Sequence, residues 1–196
     1  MKILDFGRRV LGLAYSPLQE AVLLATRPNE LTPEHADLCE RWAGRVPSPD
    51  APPSEVVVIT GRQSGKTGYV AATLVLHAAL DPATVEGLDP GYHRDVLLVA
   101  PTQRQARIGY QRIRGLVMSN AELRRYLKGP PTQHELEFNF GVRIGVWAAK
   151  GANLRGTQPR LLLLDEACFL PAEGARADYD IIEAVRPGMA MVPGAQ

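Results

Sequence analysis

Residues 60–67 read Thr60-Gly61-Arg62-Gln63-Ser64-Gly65-Lys66-Thr67, a spacing suited to holding a triphosphate. Such a ligand needs backbone N–H donors pointing inward, a small residue where the chain passes the phosphates, and a mobile cation. Gly65 permits the close approach, Lys66 reaches the β- and γ-phosphates of ATP, and the Thr67 hydroxyl ligates Mg²⁺. Gly61, Arg62, Gln63 and Ser64 supply the rest of the cradle. The run departs from G-x-x-x-x-G-K-[ST], because Thr60 stands at the first glycine position. Further along, four leucines, Leu161 to Leu164, lead directly into Asp165 and Glu166. An aspartate delivered by an apolar strand can complete a Mg²⁺ shell, and a glutamate beside it can polarise the attacking water. Asp165 therefore takes a metal role and Glu166 a general-base role. The competing readings are a chance glycine turn with a solvated lysine, and a strand that ends in a solvated turn. Catalysis requires folding to bring Asp165 and Glu166 within metal-bridging reach of Lys66 and Thr67.

Regular elements must position these groups. Val56-Val57-Val58-Ile59 is a short β-branched run, read as a buried parallel strand ahead of the glycine turn. Residues 66–80 are almost continuously apolar at helical length. Val96–Val99 is a second strand, ending at Ala100-Pro101-Thr102, and Ala106, Tyr110, Ile113 and Val117 form the buried stripe of the following helix. Glu135 to Ala148 alternates around Gly141, which signals a hairpin. Leu161–Leu164 is a further buried strand, and Tyr179 to Val185 a short final helix. The fold class is α/β of the P-loop NTPase type: a mostly parallel sheet between helix layers, with a helical N-terminal segment and a β-hairpin insertion. Residues 1–46 form the helical segment, 47–54 a Pro-rich connector, and 55–196 the ATPase core. Ser16-Pro17 and Thr32-Pro33 each read as an N-cap followed by proline at the first helical position. In this class another strand follows the acidic one and lies between it and the strand before Lys66. The sequence reaches Gln196 first, which predicts a piece truncated before that coupling strand, able to bind ATP but slow to hydrolyse it alone.

With 45% hydrophobic and 22% charged residues among 196, the chain can bury a core of ordinary size. The net charge of +1 is unevenly spread: seven basic residues (Arg104, Arg107, Arg112, Arg114, Arg124, Arg125, Lys128) face a single acid, Glu122, between Pro101 and Lys128. Arg104, Arg107, Gln111 and Arg114 share one helical face opposite the apolar stripe, either to neutralise DNA phosphates or as a solvated or subunit-contact face. Cys39 and Cys168 have no metal-ligand spacing and read as two reduced, packed thiols. His35, His77, His93 and His134 read as structural. The N-terminus lacks the apolar core of a signal peptide, and the longest apolar stretch, Leu74 to Leu80, is broken by His77. A cytosolic protein with no membrane contact is expected.

Four stretches occur here in one order: Gly61-Arg62-Gln63-Ser64-Gly65-Lys66-Thr67; Ala100-Pro101-Thr102 with Gln105-Ala106; Asn153-Leu154-Arg155-Gly156; and Leu164-Asp165-Glu166-Ala167. In that order they resemble tailed-phage terminase large subunits, over about residues 15–190. The Asn-Leu-Arg-Gly stretch is the most specific part; the others are shared with many ATPases. The resemblance implies a ring of self-associated copies that translocates double-stranded DNA into a viral procapsid by ATP hydrolysis. A portal protein and a small terminase subunit would be its partners, in the host cytoplasm and transiently docked on the procapsid. It also implies a C-terminal nuclease domain, which residues 1–196 do not supply. By the same resemblance Arg62 senses the γ-phosphate, or else faces outward to pair with an acid. Arg155 enters a neighbouring subunit's ATP site, or else serves DNA phosphate or structure. Gln19 reads adenine with its amide, although Ser16-x-x-Gln19 is also a capping-box spacing. The alternative function is a helicase-like nucleic-acid-dependent ATPase of the superfamily 2 type. A non-catalytic nucleotide-binding scaffold is a third reading, against which Glu166 argues.

Overall fold

The computed structural model describes residues 1–61, 63–149, 154–170, 177–192 and 194–196. They fall into two compact units, 1–77 and 78–196.

The first unit is helical where proline and a capping side chain coincide. A short helix, α1, runs over 3–10, its second half a wide π-type turn. Ser16 caps α2 (Pro17–Ala25) and Gln19 returns the bond, completing the capping box; Thr32 caps α3 (Pro33–Ala43), which Gly44 closes at φ +66°. Ile3, Leu23, Leu24 and Val70 form a buried cluster to which Tyr15, Leu31 and Leu74 add. Cys39 is buried, and burial raises its thiol pKa. The helix α4 (66–80) opens with a wide π-type stretch, Lys66–Ala71, and continues as Ala72–Leu80.

The run Val56–Ile59 is not the buried strand expected. It carries no regular structure, and Val57 and Ile59 are 73% and 95% exposed. β-branched residues suit a pleated, half-buried surface, but a strand exists only when a neighbour supplies the other half of the hydrogen-bond ladder. Among the described residues none pairs with 56–59.

The second unit holds a four-stranded sheet in the order β2-β3-β1-β4, with β1 Arg94–Ala100, β2 Glu135–Glu137, β3 Val142–Ala148 and β4 Pro159–Leu164. β1 pairs in parallel with β3 and β4, and the β2–β3 hairpin is antiparallel, turning at Gly141 with φ +84°. Every residue of β1 is buried, as expected of a parallel strand covered on both faces. Leu97 and Val99 join Leu154, Ile181 and Val185 in one core, which brings α7 (Ala177–Ala190) onto the sheet. α7 is longer than the 179–185 segment expected. Leu161–Leu164 are only half-buried, because β4 ends the sheet.

The stripe Ala106, Tyr110, Ile113 and Val117 on α5 (Gln103–Ser119) is buried, and α5 packs on β1 and β3. Tyr110 donates its hydroxyl to the carbonyls of Thr132 (3.0 Å) and Glu135 (2.6 Å), clamping the hairpin. Burial pushes that phenol up to about 12. A short helix, α6 (Ala121–Arg124), follows under an Asn120 cap. Cys168 is free but exposed, so only Cys39 is a packed thiol.

Candidate functional site

The phosphate loop lies in the first unit. Gly65 is the N-cap of α4 at φ +78°, a left-handed conformation that glycine adopts without strain. It aims the first turn of α4, with Lys66 and Thr67 half-buried, at the mouth of the loop. The N–H groups at the head of such a turn, together with the helix dipole, favour an anion. Gln63 also has a positive φ, +60°. Thr60 uses the position where glycine was expected: the Ser64 hydroxyl donates to its Oγ1 at 3.0 Å. The Gln19 amide is engaged at both ends. Its Oε1 accepts from the Ser16 N–H at 2.9 Å, and its Nε2 donates to the Ser64 carbonyl at 2.7 Å. A Cβ on Gly65 would lie 2.6 Å from that Nε2 and 3.1 Å from the Tyr69 ring. Arg62 lies outside the described residues, as does Asn153 of the Asn-Leu-Arg-Gly stretch.

The acidic pair lies in the second unit, at the carboxyl tip of β4. Val99 stands opposite Leu164, and the Asp165 N–H donates to the Val99 carbonyl at 2.8 Å, so the acids emerge beside the end of β1. Asp165 Oδ1 accepts the Glu166 N–H at 3.0 Å. Glu166 sits at φ +55°, ψ +37°, a left-handed conformation that costs a residue with a Cβ about 1–2 kcal/mol. It then starts a one-turn 3₁₀ helix, Ala167–Phe169. Ligand-bearing positions at the carboxyl ends of parallel strands are the usual arrangement in open α/β sheets. The far edge of β4 also takes a partner: Leu162 N–H donates to Gln196 O (2.8 Å) and Gln196 N–H to Arg160 O (3.0 Å). That is the pattern of a parallel bridge.

Arg155 is exposed, just after the fully buried Leu154. It lines an open groove of about 830 Å³ with Gln158, Asp180, Glu183 and Met191. The loop is held by the Thr157 hydroxyl on Leu154 O (2.8 Å) and by contact with Gly188 of α7, where a Cβ would overlap the Thr157 carbonyl oxygen. Gly188 was not singled out by the sequence reading, since a helical glycine carries no sign of what it touches. Gln103 was also missed. Its Oε1 accepts from Ala148 N–H (3.0 Å) and its Nε2 reaches Val146 O (3.3 Å), tying the start of α5 to the end of β3.

The basic window is less uniform than its charge suggests. Arg124 donates to Met118 O, Arg125 pairs with Glu122 at 3.3 Å and Lys128 with Glu137 at 2.7 Å. Arg107 is half-buried, its Nη2 3.4 Å from His134 Nε2. Arg104, Arg112 and Arg114 are exposed. The histidines serve as partners: His35 to Glu20 and Thr32, His77 to Met1 O and Phe6, His93 to Glu137, and His134 to Gln103. Among the described residues no helix is long and apolar enough to cross a membrane.

Comparison with known proteins places these features in context. The profile of a family described as "Terminase large subunit, T4likevirus-type, N-terminal" matches residues 57–176, more than half of the chain. Among solved structures, the large terminase of bacteriophage HK97 is similar at 20% identity and a TM-score of 0.64, over 94% of this chain and 35% of that one. The large terminase ATPase domain of Thermus phage P74-26 is similar at 19% identity and a TM-score of 0.58, over 96% of this chain and 65% of that one. A large terminase from another thermophilic bacteriophage is similar at 13% identity and a TM-score of 0.55, over 94% and 38%. The chain thus spans about a third of two of these proteins and 65% of the other. No curated protein sequence matches it.

Proposed function

Because the chain belongs to the T4-like-virus type of terminase large subunit, in its N-terminal part, we propose that it is the ATP-hydrolysing motor region of a phage DNA-packaging terminase. The observation that carries this reading is the placement of Asp165 and Glu166 at the carboxyl tip of β4, bonded beside the tip of β1, in a chain whose α4 begins with Gly65-Lys66-Thr67.

The residues fit the ligands that the reading needs. The αL glycine at the head of α4 suits a phosphate, and the Thr67 hydroxyl and Asp165 carboxylate are the hard oxygen donors that Mg²⁺ takes. Mg²⁺, when bound, neutralises charge developing on the phosphate oxygens. Gly61, Gln63, Ser64 and Gly65 cradle the phosphates with backbone N–H groups, and Lys66 adds a cation to them. Thr67 and Asp165 would supply the metal's oxygen ligands, and Glu166 would orient and deprotonate water. The left-handed backbone at Glu166 supports that role, since strained positions of this kind cluster at active sites. Arg62 and Arg155 supply positive charge to the transferring phosphoryl group, Arg155 from a neighbouring copy in a ring. Arg104, Arg112 and Arg114, exposed on α5, would meet DNA phosphates. Portal protein and small terminase subunit complete the assembly, in host cytoplasm and on the procapsid.

The test is ATP hydrolysis by the full-length protein carrying Glu166→Gln. Turnover is expected to fall about 10²- to 10⁴-fold while ATP binding is retained. Wild-type turnover in that variant would remove Glu166 from the chemistry. Equal binding of ATP by wild type and a Lys66→Ala variant would remove the nucleotide site itself.

A further inference from the structure

Gln103 opens α5, and its side-chain amide lies along the edge of β3 that faces β2. The β2–β3 ladder reaches only as far as Glu135 opposite Gly145, and the Val146 N–H then donates to the His134 carbonyl at 3.0 Å. Beyond that point β3 continues through Trp147 and Ala148, with β1 on one side and, among the described residues, no strand on the other. The Gln103 amide occupies that edge. Its Nε2 donates to the Val146 carbonyl at 3.3 Å, and its Oε1 accepts the Ala148 N–H at 3.0 Å. One amide thus bonds the carbonyl before Trp147 and the N–H after it, as a residue of a parallel strand would. The Ala148 N–H can only donate, so it fixes which end of the amide is oxygen. Nε2 also lies 3.0 Å from His134 Nδ1, which ties the amide to the residue before β2.

The stretch held in this way leads toward Arg155. On the other edge the Ala149 N–H donates to the Ala100 carbonyl at 3.0 Å, so β3 is bonded on both sides through its end. Trp147 and Ala149 pack on the core cluster that contains Leu154, which is fully buried immediately before Arg155. From the other direction the Arg155 loop is held by the Thr157 hydroxyl and by Gly188. A strand end bonded on one edge alone is free to shift across the sheet. A charged group aimed at a reacting centre loses much of its effect when displaced by about 1 Å.

We propose that Gln103 is a positioning residue for Arg155. Its amide stands in for a missing strand beside Trp147 and fixes the backbone whose side chains seat Leu154, and with it Arg155. This rests on the reading above in which Arg155 supplies positive charge to the transferring phosphoryl group. It predicts that Gln103 acts on the chemical step rather than on nucleotide affinity, and only while Arg155 is present.

The experiment measures ATP hydrolysis by the full-length protein, with kcat and KM determined separately and folding followed by thermal denaturation. The variants are Gln103→Met, Arg155→Ala and the two combined. Gln103→Met keeps the length of the side chain and removes its bonds. It is expected to lower kcat on the order of tenfold while KM for ATP stays within about twofold of wild type. In the Arg155→Ala background the same substitution should change kcat by less than about twofold, because the group it positions is gone. A merely structural loss would lower kcat by the same factor in both backgrounds, or raise KM, and either result overturns the proposal. So does wild-type kcat in Gln103→Met beside a reduced kcat in Arg155→Ala. Should Gln103→Met fail to fold, Gln103→Glu keeps an acceptor for the Ala148 N–H and loses the donor to Val146. It should show a smaller drop in kcat that again vanishes in the Arg155→Ala background, and a drop that persists there overturns the proposal. Unchanged turnover in Arg155→Ala is a separate failure: it removes the Arg155 reading and, with it, the role assigned to Gln103.

Discussion

The phosphate loop and the acidic pair are built by opposite means. The phosphate loop is shaped by polar devices: a glycine at φ +78°, a hydroxyl pair between Ser64 and Thr60, and one amide from the cap of α2. The residues leading into it are exposed and irregular. The acidic pair stands at the end of a strand whose neighbour, β1, is buried throughout and bonded on both sides. The loop is held by polar side-chain bonds; the placement of the acidic pair is a consequence of sheet register. Damage to the first should abolish ligand binding at little cost in stability, and damage to the second should unfold the unit that carries it.

The largest expected effect tests the sheet. Leu97→Ala removes a buried side chain from the core under α7 and is expected to cost about 2–5 kcal/mol by chemical denaturation. A loss under about 1 kcal/mol would mean that the acidic pair is not held by its core. Next is Gly188→Ala, whose Cβ overlaps the Thr157 carbonyl. It should cost about 1–3 kcal/mol and displace the loop bearing Arg155, seen as amide shift changes at 154–158. Gly65→Ala forces a Cβ into a left-handed position and against Gln19, costing about 1–2 kcal/mol. Unlike the sheet variants it should lose tripolyphosphate binding while remaining folded; retained binding would mean that the left-handed glycine does not shape the loop for an anion.

Tyr110→Phe should cost about 1 kcal/mol, because the hydroxyl's bonds to the Thr132 and Glu135 carbonyls are lost. It also fixes a pH dependence. The Tyr110 pKa is raised by burial from 10.0 to about 12, so the folded form holds the proton more tightly than the unfolded. Its contribution is complete below pH 10 and is lost as pH climbs from 10 to about 12. Wild-type stability should fall across that window more steeply than that of Tyr110→Phe. The smallest effect is Ile59→Ser, within about 0.5 kcal/mol, because the side chain is 95% exposed. A large loss there would show that 56–59 is buried after all.

Much of the fold was legible in residue order. The α5 stripe, the hairpin at Gly141, the strand ahead of Asp165 and both proline-marked caps were read from local pattern, and the structure contains each. Val56–Ile59 has the composition of a strand and lacks the partner, so propensity alone misled. Cys168 follows an apolar strand yet is exposed, because the chain turns out of the sheet at Glu166. Gln19 offered two readings, helix cap or adenine contact. The cap bond is present, but the second bond, to Ser64, was in neither reading, since it joins positions 45 apart.

The sequence by itself determined which residues could do phosphate and metal chemistry, in what order they come, and what local conformation each neighbourhood favours. Those properties depend on side-chain type and on contacts a few residues apart. Only the tertiary structure decided that Asp165 ends beside β1, that Glu166 is held in a left-handed conformation, that Gly188 carries the Arg155 loop, and that 56–59 joins no strand. Each of these is set by a distant partner, present or missing, and backbone pairing between distant segments leaves no imprint on the composition of either one.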